Sequence, residues 1–273
     1  MNDNYIIIKP QRNLFRIPIS EIIRYKDLLY FLVWRDLKVR YKQTILGASW
    51  ALFQPLVQMV IFSIFFGRLA KIPSENVPYP IFVYSALLPW TFFANSLNAC
   101  NNSVINNAGL ITKIYFPRLI IPLSATGGGL IDLLLSFLVL LGIMAYYNFS
   151  ITIHFLMIFP LLIGTIFTAI GIGTLLSALS VAYRDFRHIV PFGIQIWLFA
   201  TPVIYPPSIV GSRFEFLLNL NPMAGIINGF RSAILNRPFA WNAIGVSFLI
   251  SAIIFMIGVG YFSRVEKKFA DII

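Results

Sequence analysis

Long apolar runs broken by short polar segments set the pattern of this chain. A helix needs about 20 apolar residues to cross a hydrocarbon core ~30 Å thick. Six segments approach or exceed that length: 46–68, 79–100, 119–147, 153–181, 189–205 and 241–262. The fifth is short and rises only about 25 Å at 1.5 Å per residue. The pattern therefore predicts an all-α integral membrane protein with six transmembrane helices. Ahead of the first run, residues 21–43 also have helical spacing. Arg24, Asp27, Arg35, Lys38 and Lys42 share one face with Phe31 as the apolar intruder, and Leu28, Leu29, Leu32, Val33 and Leu37 lie elsewhere around the helix. Lys26, Asp36 and Arg40 interrupt the apolar side. With Trp34 and Tyr41 as interface anchors, this reads as an amphipathic helix in the headgroup plane. Ordinary basic charge ahead of a first span is the plainer alternative. Segment 206–240 is apolar, but its stretches 214–220 and 223–235 are too short to cross. Irregular backbone at membrane depth is tolerated only inside protein or beside a water-filled cavity. The expectation is two short re-entrant helices with a turn at Asn221–Pro222; a loop packed on the outside is the alternative.

Composition agrees with a membrane protein. The chain is 58% hydrophobic and 11% charged, against about 25% charged in soluble domains. The net charge of +11 would suggest nucleic acid in a soluble chain. Here sixteen of the 21 Lys and Arg fall in 1–45, 101–118, 182–188 and 263–273, the segments on one side of the predicted bundle. Basic residues gather on the cytoplasmic side, so both termini are expected there and no nucleic-acid partner is expected. The chain divides into a cytoplasmic N-terminal segment, 1–45, and a membrane domain, 46–273. The first 40 residues lack a signal-peptide core. One cysteine, Cys100, and two distant histidines, His154 and His188, make no metal-ligand pattern.

The chemistry-bearing residues are few. A P-loop, whose backbone amides and lysine hold phosphates, is missing; Gly127–Gly128–Gly129 has no following lysine and suits close helix packing. Asp132 is the one carboxylate deep in an apolar run. Proton relays need chains of such groups, so Asp132 reads as a polar contact between helices or beside a pore. No Ser/His/Asp set or paired carboxylates stand close enough in sequence to suggest catalysis. Aromatic residues recur in the first run (Trp50, Phe53, Phe62, Phe65 or Phe66) and the fifth (Phe192, Trp197, Phe199, Tyr205). They read either as a channel wall that stacks on sugar rings or as packing. Two short basic loops, 110–122 and 181–191, end in proline and are either docking loops or simple connectors.

Six stretches, in order, are RDLKVRYKQTILGASWALFQPL (35–56), PYPIFVYSALLPWTFF (78–93), NNAGLITKIYFPRLIIPLS (106–124), YRDFRHIVPFGIQIWLFATPVIYP (183–206), NLNPMAGIINGFRSAIL (219–235) and VEKKFADII (265–273). Together they resemble the polysaccharide-export branch of the ABC-2 permeases, whose members export O-antigen, teichoic acid and capsule polymers. The resemblance implies a permease homodimer in the bacterial cytoplasmic membrane, bound to two ATPase subunits that carry ATP and Mg, with no cofactor in this chain. Its implied substrate is an undecaprenyl-type lipid-linked polysaccharide, with O-antigen type as the expectation. Teichoic acid or capsule export, and a drug-type ABC-2 permease, are the alternatives. Periplasmic gate helices between spans five and six, and a channel lined by spans one and five, are implied too. Trp50, Phe53, Phe62, Phe66, Trp197, Phe199 and Tyr205 become channel candidates. Arg35, Lys38, Arg40 and Lys42 become candidates for the lipid-pyrophosphate entrance. Lys113, Tyr115, Phe116, Arg118, Tyr183, Arg184, Asp185 and Arg187 become candidates for coupling to the ATPase.

Overall fold

The structure, a computed structural model, describes residues 19–42 and 49–269, and at 19 and 212–215 the backbone alone. The junction residues 43–48 and the terminal 270–273, which belong to the quoted stretches, lie outside the described residues. Every regular element among the described residues is helical. In chain order they are α1 (Ile19–Arg24), α2 (Lys26–Lys42), α3 (Ser49–Phe62, continued by a π-helical Ser63–Leu69), α4 (Tyr79–Asn106), α5 (Ala108–Ile111), α6 (Ile120–Tyr146), a 3-10 turn Ile153–Met157 leading into α7 (Ile158–Ala182), α8 (Phe186–Ala200), α9 (Ser212–Leu220), α10 (Pro222–Leu235) and α11 (Trp241–Val265).

Among the described residues, four helical stretches are long and apolar enough to cross a membrane: Ser49–Leu69, Ile120–Tyr146, Ile153–Ala182 and Trp241–Lys268. α4 has 28 residues but turns polar in its second half, and α8, with 15, rises only about 22 Å. The helices alternate in direction. One end of the bundle, the near end, gathers 106–120, 182–186 and 265–269; the far end gathers 69–79, 146–153 and 201–241.

α4 is the central helix. Ile81–Trp90 are buried throughout, against α6, α7 and α10. The hydrophobic effect does not drive helices together in lipid; close approach and hydrogen bonds do. Both are present. A Cβ on Gly171 of α7 would sit 2.6 Å from the Phe255 Cα of α11, so only glycine permits that crossing. Tyr84 donates to the Ser136 carbonyl at 2.9 Å, and the Thr168 and Ser251 hydroxyls lie 2.6 Å apart. At the near end a second cluster (Leu32, Phe116, Ile120, Phe262 and Phe269) ties α2 and the Phe269 side chain onto α6 and α11.

Two boundaries differ from the hydrophobic pattern. α4 runs on to Asn106, past residue 100, because polarity there does not unmake the helix: Asn101 and Ser103 stay buried on its packed side. The fifth predicted span, α8, starts at Phe186 and stops at Ala200, five residues short of 205. Thr201 precedes Pro202, which pushes it out of helical conformation, and its backbone is extended (φ −107°, ψ 140°). After this break come the two short helices expected from sequence. Asn221 caps α10 by accepting from the Met223 N–H at 3.0 Å. Pro222 starts it, and left-handed Asn236 (φ 55°) ends it.

Candidate functional site

A cavity of about 780 Å³ lies between α2, the start of α3, α4 and α6. Its α4 wall is a row of polar side chains: Thr91, Asn95, Asn98, Asn102 and Asn106. At 3.6 residues per turn these fall within about 80° of one another around the helix. Polar side chains at membrane depth face a bundle interior or a water-filled cavity, and these face the cavity. The Asn98 amide oxygen is buried and has no hydrogen-bond partner among the described residues. Across from the row, α6 contributes the glycine triplet and Asp132. Gly127 is closed by Val33, which a Cβ would meet at 3.0 Å, and Gly129 by Ser96 Oγ and Phe92 at 3.2 and 3.4 Å. Gly128 has open space and lines the cavity. The triplet thus packs helices, as its small size implied, and leaves one gap.

Among the described residues, four charged side chains line the cavity: Arg35, Asp36, Arg40 and Asp132. They form pairs. Arg40 Nη1 reaches Asp132 Oδ2 at 2.5 Å, and Tyr41 donates its hydroxyl to the same carboxylate. Arg35 Nη2 bonds Asp36 Oδ1 at 2.7 Å and Asn107 Oδ1 at 2.8 Å. Asp132 is therefore a contact between helices beside a cavity, which fastens α2 to α6. Burial first, then the Asp132 carboxylate, push the Tyr41 phenol up to about 12. Arg35 leaves the exposed basic face that the helical spacing assigned to it and turns toward the α4–α5 junction. Lys38 and Lys42 stay exposed, Lys38 lying 5.6 Å over the Trp34 ring. The four entrance candidates thus divide into two paired arginines on the cavity wall, both still partly exposed, and two exposed lysines.

The aromatic candidates divide as well. Trp50 and Phe53 stack at 5.6 Å, both about half exposed, and Trp50 also lines the cavity. Phe62 and Phe66 meet edge-on at 5.6 Å and pack against the core. Phe199 is exposed, with Phe192 and Ile196 on the same side of α8. Trp197 is half-buried: its ring stands edge-on to Phe93 at 5.2 Å and its Nε1–H donates to Asn221 Oδ1 at 3.2 Å.

That Trp197–Asn221 contact belongs to the far-end break, where Thr201–Ile204 are buried without helical hydrogen bonding. Every group there needs a partner, and side chains provide them. Arg231 of α10 is 2% exposed. Its Nη2 donates to the Val203 carbonyl at 2.7 Å. Nη1 and Nε reach the Tyr205 and Phe82 carbonyls, each at 3.4 Å, and the guanidinium lies 3.8 Å over the Phe82 ring. Tyr79 donates to the Ile204 carbonyl at 2.6 Å, and Asn221 Nδ2 to Thr201 Oγ1 at 2.8 Å. Tyr205 closes the network by donating to the Phe199 carbonyl at 3.1 Å. Arg231, Tyr79 and the asparagine row escaped the sequence reading. The row's 3-4-4 spacing was the available signal; no sequence signal marks Arg231, which reads as one more outer basic residue.

At the near end, the coupling candidates also sort by exposure. Lys113 and Tyr115 point outward, Tyr115 83% exposed. Phe116 is buried in the near-end cluster, and Arg118 donates to the Glu266 carbonyl, so these two anchor the loop. Tyr183, Arg184, Asp185 and Arg187 are all exposed on a loop held by Asn101 Nδ2, which donates to the Phe186 carbonyl at 3.4 Å.

Residues 27–235, from the start of α2 to the end of α10, match the model of the ABC-2 type transporter family. The chain belongs to that family. The matched part of this ABC-2 domain holds both the near-end cavity and the far-end break. Among curated proteins it is similar to an O-antigen export system permease protein RfbA of Klebsiella pneumoniae, 29% identical over 90% of this chain and 95% of that protein. It is 32% identical to the RfbA protein of the same description from Myxococcus xanthus, over 78% of this chain and 82% of that one. It also resembles the polysialic acid transport protein KpsM of Escherichia coli, at 22% identity over 74% and 78%.

Proposed function

We propose that this ABC-2 chain is the membrane permease subunit of an ATP-driven exporter that carries a lipid-linked polysaccharide of O-antigen type across the bacterial cytoplasmic membrane. The single observation that carries this reading is the similarity to O-antigen export permeases along nearly the whole length of both chains. In this reading α4 and α8 complete six spans, with the near end and both termini in the cytoplasm. α9 and α10 form a periplasmic gate. The chain works as a homodimer with two ATPase subunits, which bind ATP and Mg.

The residues take roles by chemistry. Exposed Lys38 and Lys42 attract the pyrophosphate of the lipid carrier and the anionic inner leaflet, each worth about 1 kcal/mol near the surface. The exposed loop Tyr183–Arg187, with Lys113 and Tyr115, receives the ATPase; anchored Phe116 and Arg118 pass its movement to α6 and α11. The aromatic sides of α3 (Trp50, Phe53) and α8 (Phe199) offer a wall on which sugar rings slide by apolar contact without tight binding. Deleting the gene in its host should abolish surface polysaccharide while lipid-linked polymer accumulates inside. Undiminished surface polymer in the deletion strain would sink the reading. The composition of the accumulated polymer separates O-antigen from teichoic acid and capsule.

A further inference from the structure

We infer that the near-end cavity is a carbohydrate-binding subsite, in which the asparagine row of α4 holds the hydroxyls of sugar rings before they reach the aromatic wall. This rests on the polysaccharide reading and names where, within the protomer, the glycan is first held.

Three observations carry it. The first is donor and acceptor supply. An amide offers two N–H donors and a carbonyl acceptor, which matches hydroxyls that both give and accept. Asn95 to Asn106 repeat that offer along about 16 Å of helix, and the buried Asn98 oxygen is left with no donor from the described protein. The second is charge. The cavity's two arginines face its two aspartates, each arginine within 2.7 Å of a carboxylate oxygen. A neutral polyol fits such a site, whereas a diphosphate would have to break both pairs and sit beside freed carboxylates. The third is shape. Trp50, about half exposed, adds an apolar face to the polar wall, as a ring with C–H faces and hydroxyl edges requires. The volume lies within the ~300–1,000 Å³ of ligand pockets. A second copy of this chain is a poor occupant: the apolar exposed sides of α3 and α8 would strip water from four asparagines without replacing their hydrogen bonds.

The test uses cells that export the polymer and in which deletion of this chain abolishes export. A photo-reactive p-benzoylphenylalanine replaces Asn98, or Asn102 in a second strain, with Phe53 on the aromatic wall and lipid-exposed Leu138 as comparison positions. Illumination should give adducts that react with antiserum to the surface polysaccharide from the asparagine positions and not from Leu138. Adducts to phospholipid alone, dimer-sized adducts of this chain, or no glycan adduct at either asparagine while Phe53 yields one, each overturn the subsite and leave the export reading intact. If the deletion strain exports normally, the export reading falls and the subsite with it. In parallel, Asn95, Asn98 and Asn102 changed together to Ala should lower surface polymer about tenfold or more, from lost hydrogen bonds of ~1 kcal/mol each. The same three changed to Gln should recover much of it. Equal export by the Ala and wild-type proteins, at equal membrane levels, would also overturn the subsite.

Discussion

The far-end break and the near-end cavity each build around an arginine, and they do opposite things with it. Arg231 is fully buried with no carboxylate in contact among the described residues; its guanidinium is spent on three backbone carbonyls and a phenyl face. Arg40 is partly exposed and tied to a carboxylate, beside a row of amides that includes an unmet acceptor. A cation that neutralises dipoles in a dry, closed network makes a rigid element. A paired cation beside open amides makes a pocket. The difference teaches that the far end is built to hold a shape, and the near end to receive something.

The sharpest way to break that contrast is at Arg231. Arg231→Met should strip the Val203 and Tyr205 carbonyls of their donor at once, while the Phe82 carbonyl keeps the Ser85 hydroxyl at 2.8 Å. At ~1–3 kcal/mol for each buried group left unmet, we expect about 3–5 kcal/mol of lost stability, read as a large fall in the melting temperature of detergent-purified protein. Arg231→Lys keeps the charge but not the fork and should fall between. A wild-type melting temperature for Arg231→Met would show that the break does not depend on it.

A middling effect is expected at Asn221, which both caps α10 and receives Trp197. Asn221→Ala should cost about 1–2 kcal/mol. Trp197→Phe, which keeps the ring against Phe93 and removes the N–H, should cost less than half of that. If the two variants melt alike, the Trp197 hydrogen bond rather than the cap carries the asparagine's contribution.

The smallest effect belongs to the near end. Asp132→Asn should speed hydrogen exchange across 26–42 with little change in melting temperature, since a partly exposed pair contributes ~1 kcal/mol or less. The contact has a pH signature whose sign is fixed. Tyr41 ionises at 10 when free and at about 12 in the fold, so its neutral form favours the fold. The contact is fully present below pH 10 and is lost as pH rises through 12. A phenolate absorbance titration, wild type minus Tyr41→Phe, should show one late-ionising phenol; ionisation near 10 would mean α2 is not held at Asp132.

Much of the architecture was legible because its cause is local. Apolar length marks α3, α6, α7 and α11, and Asn221–Pro222 marks the turn between the two short helices. Those signals act within a few residues. α4 was legible only in part. The run 79–100 announced a span, but its continuation through Asn101, Asn102 and Asn106 read as a loop, since asparagines lower hydropathy whether they lie in water or face a cavity. The candidate site was less legible. Arg35 and Lys38 belong to the same basic face by spacing, yet one turns into the protein toward Asn107 and the other stays exposed. Phe116 and Tyr115 are neighbours in one loop, yet one is an anchor and the other a surface.

The sequence by itself determined that this is a helical membrane protein of the ABC-2 type, because apolar run length and motif order are properties of the chain read in one dimension. Only the tertiary structure decided which polar groups are already satisfied. Arg40 meets Asp132 across 92 residues, and Arg231 meets Val203 across 28. Asn98 keeps an oxygen that no described donor reaches. Hydrogen-bond satisfaction is a matter of distances between separate helices, set by packing, and it separates the rigid end of this bundle from the end with room for a ligand.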